Sequence, residues 1–217
     1  MGKAEYSDKM TKLNAVSWNR VRYTIYAPIY NWAVKFANNS RKNSIASLNL
    51  DGTESILIVG AGTGLDLDYI PSSCKITATD ITPAMVHKIQ QRAELLNKDV
   101  KSEVMDGQKL FYDDKTFDIV ILHLILAVIP DPIACINEVE RVLKPEGKIA
   151  VYDKFVKTGL SISLLRKIIN SITSILATDI TRSLESIIEN TSLKVVSDVS
   201  ADFGGNFRRI ILKKPTY

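Results

Sequence analysis

The chain of 217 residues has little of what marks secreted, metal-binding or membrane-spanning proteins. It has two cysteines, Cys74 and Cys135, and their spacing fits neither a disulfide framework nor a metal site. No apolar run reaches the roughly 18 residues that a membrane-spanning helix needs. The first residues lack the apolar core of a secretion signal. We therefore expect a cytoplasmic protein with reduced cysteines and no bound metal.

An excess of charge is also lacking, since the formal net charge is only +4 at pH 7. That value is too small to indicate binding to nucleic acid. Most of the positive excess lies in residues 1–45, which carry eight Lys or Arg and two acids. A solvated helical face is the simpler interpretation, and contact with an anionic substrate or a membrane surface is the alternative. Peripheral membrane contact and the oligomeric state stay open.

The most informative pattern is an apolar strand, residues 56–59, that runs into three alternating glycines. These glycines are Gly60, Gly62 and Gly64. A dinucleotide fingerprint, Gly-x-Gly-x-x-Gly, would need glycine at Leu65, which disfavours a nicotinamide-dependent oxidoreductase. A second short strand ends on Asp80, where an acid accepts hydrogen bonds from ribose hydroxyls. Together the glycine turn and the acid predict a nucleoside site.

Strand and helix patterns alternate along the chain, which predicts an α/β fold. The predicted strands are 54–60, 75–80, 101–105, 117–122, 148–152, 194–199 and 207–212. Thr82-Pro83 and Asp131-Pro132 are predicted to start helices, residues 144–147 a turn, and 181–190 a further helix. The expected architecture is a Rossmann-like, doubly wound, mostly parallel seven-stranded sheet. Its ligand should lie at the carboxyl ends of the strands.

We expect a single domain, 1–217, in four parts. These are an N-terminal helical cap (1–48), a nucleoside-binding core (49–157), a helical lid inserted before the last two strands (158–192) and the terminal strands (193–217). In the lid, residues 160–177 form an amphipathic helix with six aliphatic side chains on one face. They are Leu165, Ile168, Ile169, Ile172, Ile175 and Leu176. A packed lid is the main interpretation of this face, and a membrane contact is the alternative.

Five segments in order resemble the class I S-adenosylmethionine (SAM) dependent methyltransferases. They are Val-Gly-Ala-Gly-Thr-Gly-Leu (59–65), Ala-Thr-Asp-Ile-Thr-Pro-Ala-Met (78–85), Met-Asp-Gly (105–107), Phe-Asp-Ile-Val (117–120) and Arg-Val-Leu-Lys-Pro-Glu-Gly-Lys (141–148). Within that class the chain is most similar to the bacterial ubiquinone/menaquinone C-methyltransferases and phosphatidylethanolamine N-methyltransferases. Tyr26-Ala-Pro-Ile-Tyr30 resembles the Tyr-x-Pro-x-Tyr segment of the same group. The resemblance implies SAM as cofactor and S-adenosylhomocysteine as product.

The resemblance also implies which residues form the site. The implied cofactor-binding residues are Gly60, Ala61, Gly62, Gly64, Asp80, Ile81, Met85, Asp106, Gly107 and His123. Asp80 would bind the ribose and Asp106 the adenine amino group, while His123 would border the sulfonium. Each also has a structural interpretation: Asp80 as a helix cap, Asp106 as a turn residue and His123 as a core histidine. One departure is Ile58, which stands where the family often has an acid that orients the methionine amino group.

Candidate catalytic residues are His123, Tyr26 and Tyr30. His123 would act as a general base only if the acceptor arrives protonated, because its imidazole titrates near neutrality. The tyrosines would contact the acceptor or simply pack the N-terminal helices. His87, the other histidine, is expected on the surface of a helix.

The acceptor is not specified by these residues. Leu-His-Leu-Ile (122–125) replaces the Asn/Asp-Pro-Pro-Tyr segment of enzymes that methylate adenine or glutamine, which disfavours those substrates. The apolar lid favours a small, hydrophobic or lipid-like acceptor, with carbon, nitrogen, oxygen and sulfur all open as the methylated atom. The competing classes are an NAD-binding oxidoreductase and a non-catalytic SAM-binding protein.

Overall fold

The computed structural model describes residues 38–155, 182–201 and 207–216. Their strands are β1 (Ser55–Val59), β2 (Lys75–Asp80), β3 (Val100–Val104), β4 (Phe117–His123), β5 (Leu143–Lys154), β6 (Lys194–Ser200) and β7 (Phe207–Lys213). The strands form one seven-stranded mixed sheet in the order β3-β2-β1-β4-β5-β7-β6. Neighbours from β3 to β5 pair in parallel, and β7 runs antiparallel to both β5 and β6. The predicted α/β fold is confirmed.

The described helices are α1 (38–46), α2 (Pro83–Leu95), α3 (Pro132–Val142) and α4 (Leu184–Ile188), with a short 3-10 helix at Leu65–Tyr69. Proline stands in the first turn of α2 and of α3, where its missing N–H costs no hydrogen bond. Asp131 caps α3 by accepting a hydrogen bond from the Ala134 N–H at 2.9 Å. Thr82-Pro83 starts α2 as predicted, with Thr82 at the N-cap position, but the Thr82 side chain makes no capping hydrogen bond.

Side chains of the central strands alternate between two cores, one on each face of the sheet. In β1, Ile56 and Ile58 pack on the face that Ile45 of α1 and Ile89 of α2 cover. The intervening side chains of β1 pack on the other face, against α3 and α4. Strands that are covered on both faces read as continuous apolar runs, which explains why β1 and β4 carry almost no polar residues.

The predicted turn at 144–147 lies inside β5, which begins at Leu143. Leu143 pairs with Phe117, and the register then shifts before Lys148 pairs with Ile119. Glu146 takes a positive φ of 64° within this irregular stretch. The stretch stays at the sheet because the Glu146 N–H donates to the Lys214 carbonyl and the Lys214 N–H donates to the Gly147 carbonyl, each at 3.0 Å. Turn-type residues here form a bulge instead of ending the strand.

Two predicted segments lie outside the described residues: the N-terminal cap up to residue 37 and the lid helix 160–177. The predicted helix 181–190 corresponds to the shorter α4. Because β1 to β5 are parallel, their carboxyl ends lie along one edge of the sheet. The strand order reverses between β1 and β4, and this edge carries most of the predicted site residues.

Candidate functional site

The glycine turn follows β1 directly and takes a backbone conformation that suits glycine. Gly60, Gly62 and Gly64 have φ values of 67°, 57° and 77°, which side chains with a Cβ rarely adopt. A Cβ on Gly60 would also lie 2.7 Å from Ile125 Cδ1. The turn is anchored to β2, because the Ala61 N–H donates to the Thr79 carbonyl at 2.8 Å. The result is a tight turn at the switch point of the sheet, with glycine at three of its five positions, 60–64.

Asp80 lies at the end of β2 and turns its carboxylate toward this glycine turn. One oxygen accepts a hydrogen bond from the Gly62 N–H and the other from the Thr82 N–H, both at 2.9 Å. Burial raises the pKa of Asp80, while these two hydrogen bonds act in the opposite direction. Each oxygen has a second lone pair, so the carboxylate can also accept two hydroxyl groups. This is the chemistry that a ribose diol needs.

The residues after β3 form the third part of the site. The Met105 N–H donates to the Asp80 carbonyl at 3.0 Å, which places Asp106 beside the end of β2. Gly107 packs on β1, since a Cβ there would lie 2.7 Å from Val59 Cγ1. Ile81 is 62% exposed although it is aliphatic. An exposed aliphatic side chain next to the Asp80 carboxylate suits the face of an adenine ring.

Gln108 is a site residue that the sequence reasoning missed. Its side-chain amide donates to both Asp106 oxygens, at 2.9 and 3.1 Å, and its own oxygen accepts the Asp131 N–H at 2.9 Å. Gln108 therefore fixes the Asp106 carboxylate against the start of α3. No local pattern marks such a bridge, because the partners lie 2 and 23 residues away.

His123, the last residue of β4, lies in a buried chain of polar side chains. Its Nδ1 lies 2.7 Å from Asp66 Oδ1, and its Nε2 lies 3.0 Å from Ser44 Oγ. Arg41 Nη1 donates to both oxygens of Asp66 at 2.8 Å. Burial alone would raise the pKa of Asp66, but the charge of Arg41 and the hydrogen bonds from Arg41 and His123 hold it well below its usual range. Asp66 lies two residues after Gly64, so this series of polar side chains links α1 to the glycine turn.

The loop after β4, residues 124–130, is held from two sides by charged side chains. Asp153, next to the end of β5, accepts the Ala127 N–H at 3.0 Å, and burial raises the pKa of its carboxyl to about 6. Arg182 donates to the carbonyls of Leu126 and Ile129, both at 2.7 Å. Ile125 of this loop contacts Gly60, so the loop borders the glycine turn.

The structure thus brings together the glycine turn, Asp80, Ile81 and Asp106 along the edge formed by β1, β2 and β3. Met85 is half-buried in the first turn of α2 on the same edge, and His123 ends the next strand. His87 is exposed on α2, where its ring lies 3.1 Å from the Gln91 amide. Tyr26 and Tyr30 lie outside the described residues.

A nucleoside fits these residues, because the turn after β1 is rich in glycine and the carboxylates of Asp80 and Asp106 follow β2 and β3. Within residues 38–155, 182–201 and 207–216, no three His, Cys, Asp or Glu side chains converge as a metal site. None of the helices in the same ranges has both the length and the apolar character needed to cross a bilayer.

Comparison with known proteins identifies the class. Residues 57–151 match the family described as methyltransferase domain. A phosphatidylethanolamine N-methyltransferase of Cereibacter sphaeroides is 25% identical over 198 residues, covering 90% of this chain and 96% of that protein. A ubiquinone/menaquinone biosynthesis C-methyltransferase of Geobacter sp. (strain M21) is 27% identical, but the match covers 52% of this chain and 51% of that protein.

Among solved structures, the [4+2]-cyclase SpnF superposes with a TM-score of 0.69 at 18% identity. The match covers 83% of this chain and 82% of that one, and at this identity it shows the fold alone. The family match and the curated relatives define the class: the protein is an enzyme of the methyltransferase class. Together they support a class I SAM-dependent methyltransferase that uses SAM as its cofactor.

Proposed function

We propose that the protein transfers a methyl group from SAM to a small, hydrophobic or lipid-like acceptor. One observation carries the choice of acceptor: the similarity to a phosphatidylethanolamine N-methyltransferase extends over 198 residues, well beyond the family match at residues 57–151. The quinone methyltransferase relative matches only about half of its length. A lipid with a polar amine head is therefore the first acceptor to test, and quinol-like and thiol acceptors are next.

Residues along the edge of the sheet are assigned to different parts of SAM. We assign Asp80 to the ribose hydroxyls, and the turn of Gly60, Ala61, Gly62 and Gly64 to the ribose and methionine parts. Ile81 and Met85 would contact the adenine, which Asp106 and the Gly107 backbone would hold at its amino edge. Support comes from the second lone pair on each Asp80 oxygen and on Asp106 Oδ2, and from the exposed Ile81 side chain.

The acceptor side is assigned to the ends of β4 and β5. SAM supplies a methyl group on a positively charged sulfur, so the reaction is an in-line displacement. The protein has to hold the acceptor in a near-attack position and exclude water, effects that contribute up to roughly 7–11 kcal/mol. His123 is the candidate base for an acceptor that loses a proton, and Tyr26 and Tyr30 are candidate acceptor contacts. We further propose that residues 158–192 form a helical lid over the acceptor and that the protein acts in the cytoplasm.

The test combines binding and transfer. Calorimetry with SAM, S-adenosylhomocysteine and NAD should give saturable binding of the first two and none of NAD. Methyl-labelled SAM should then be incubated with the protein and, separately, with a lipid extract and an aqueous extract. Label in an identified lipid supports the proposal. Label only in water-soluble products would overturn the acceptor class, and SAM binding without any labelled product would favour a non-catalytic SAM-binding protein.

The Asp80→Ala variant is the matched control for this assay. It should lose label transfer together with SAM binding, whereas Asp113→Ala, which removes an exposed carboxylate just before the amino end of β4, should keep both. Equal transfer by an Asp80→Ala variant that has lost SAM binding would show that the label arises from a contaminant. The fold alone does not settle the reaction, since a cyclase shares it.

A further inference from the structure

Hydrogen-bond chemistry determines which nitrogen of His123 carries the ring proton. A carboxylate accepts hydrogen bonds and does not donate them, so Nδ1, 2.7 Å from Asp66 Oδ1, must be the donor. Arg41 donates to both oxygens of Asp66 and thereby keeps that carboxylate ionised. Nε2 is then the acceptor nitrogen, and the Ser44 hydroxyl donates to it across 3.0 Å.

Arg41 and Asp66 contribute opposite charges to this group of side chains, and they are 6% and 2% exposed. The His123 side chain is fully buried and contacts the Asp66 carboxylate. A ring that carries a single proton therefore carries it on Nδ1, where it is donated to Asp66, and leaves Nε2 unprotonated.

We propose that Asp66 is a positioning residue for His123 in methyl transfer and that Ser44 relays the acceptor proton to His123 Nε2. Asp66, held by Arg41, fixes the Nδ1–H tautomer, and Ser44 holds Nε2 as the one basic atom of the ring. This inference rests on the proposed function, because a base is needed only when the acceptor gives up a proton. A purely structural chain would stabilise the fold equally well, but the reaction would not depend on the tautomer.

Methyl transfer and proton transfer together conserve atoms and charge. The acceptor atom forms a bond to the methyl carbon, the methyl–sulfur bond breaks, and its electron pair stays on sulfur. The acceptor proton passes to Ser44 Oγ while the Ser44 hydroxyl proton passes to His123 Nε2. The imidazolium that results donates from Nδ1 to Asp66, which is ionised already and takes up no proton. Asp66 thus stabilises the protonated ring electrostatically.

Nitrogen-15 NMR of the histidine rings tests the tautomer in the protein without SAM. The chain has only two histidines, so His87→Gln leaves the His123 ring as a single set of signals. At pH 8 we expect a protonated Nδ1 and an unprotonated Nε2. A proton on Nε2, alone or together with one on Nδ1, would overturn the proposal. Since the measurement needs no cofactor, it is separate from any failure of the proposed function.

Asp66→Asn tests whether the tautomer matters for turnover. Arg41 can only donate, so it takes the single amide oxygen, and the amide NH₂ turns to His123 Nδ1. The ring must then carry its proton on Nε2. We expect kcat to fall at least tenfold and the SAM dissociation constant to stay within about threefold, since a wrong tautomer costs roughly 10⁴-fold in serine proteases. A switched tautomer with unchanged kcat would refute the positioning role.

Ser44→Ala keeps the proposal testable if the Asp66→Asn variant does not fold. This variant removes the partner of Nε2 and leaves Asp66 and Arg41 in place. We expect the ring proton to remain on Nδ1 and kcat to fall, with a smaller change in the acceptor KM. A ring that switches to Nε2–H would show that Asp66 does not fix the tautomer. Unchanged kcat would remove Ser44 from the proton path.

Discussion

The Asp80 carboxylate accepts a hydrogen bond from the Gly62 N–H at 2.9 Å, so the acid at the end of β2 and the turn after β1 form one unit. The same carboxylate accepts the Thr82 N–H at the start of α2. Two elements that are separate in sequence are thereby held together at the switch point of the sheet. A ligand that binds Asp80 must at the same time lie against the glycine backbone.

Asp80→Ala should weaken SAM binding by about 1.5–3 kcal/mol, the range for hydrogen bonds to a charged group. This corresponds to an affinity loss of roughly 10- to 150-fold, which calorimetry measures directly. The reason is that Asp80 supplies the acceptors for the ribose hydroxyls and also holds Gly62. Asp113→Ala is the control. An Asp80→Ala variant that folds and binds SAM with wild-type affinity would exclude Asp80 from the site.

Local patterns were sufficient to predict the strands and the glycine turn. β1 and β4 are covered on both faces, so each is a short apolar run that ends in a distinctive residue. Asp80 was identified because strand, turn and acid follow each other within 25 residues of sequence. The predicted turn at 144–147 was wrong because its pairing with Lys214 depends on a distant segment.

The polar chain around His123 could not be predicted in the same way. The Arg41–Asp66 and His123–Asp66 contacts join residues 25 and 57 positions apart, and His123 and Ser44 are 79 apart. Spacing therefore gives no indication that these side chains meet. The one available signal was Asp66 itself, an acid between two leucines directly after the glycine turn. A charged side chain in such a place needs a buried partner.

Gly60→Ala should destabilise the protein by about 1–2 kcal/mol, because the alanine must adopt a left-handed backbone conformation. Its Cβ would also lie 2.7 Å from Ile125 Cδ1. Ile125→Val removes that methyl group, so the double variant should recover the steric part of the loss and keep the conformational part. Denaturant unfolding of the four proteins gives the coupling energy. Strictly additive effects would show that the two residues do not contact.

Asp153→Asn should change how stability depends on pH. Burial raises the pKa of Asp153 to about 6, above its value in the unfolded chain of roughly 3.9. Between pH 4 and 6 the folded state binds more protons than the unfolded state. The contribution of protonated Asp153 to the free energy of unfolding is therefore full below pH 4 and is lost as pH rises through 6. Relative to wild type, the variant should gain up to about 3 kcal/mol between pH 4 and 7. If the free energy of unfolding changes with pH in the same way for both proteins, the raised pKa of Asp153 is contradicted.

Arg182→Ala should lower the unfolding free energy by about 1.5–3 kcal/mol, the range for losing hydrogen bonds from a charged donor. The guanidinium donates to the carbonyls of Leu126 and Ile129 in the loop that borders the glycine turn. Arg182→Lys should recover only part of the loss, because an ammonium group cannot reproduce the planar fork. Thermal unfolding of both variants measures the difference. Full recovery by lysine would show that charge alone is sufficient.

The lid helix over residues 160–177 is predicted from the sequence. Residues 160–177 carry six aliphatic side chains on one helical face and Arg166 and Lys167 on the other. If the aliphatic face lines the acceptor pocket, Ile169→Asp places an unpaired charge there, which is costly. The acceptor KM should rise sharply while SAM affinity stays within a few-fold of wild type, and Lys167→Asp on the polar face should leave both unchanged.

If the helix contacts a membrane instead, the wild-type protein should sediment with anionic liposomes, and reversing the charges of Arg166 and Lys167 should release it. Salt-sensitive liposome binding that Lys167→Asp weakens would therefore contradict the packed lid and place the acceptor in a lipid surface.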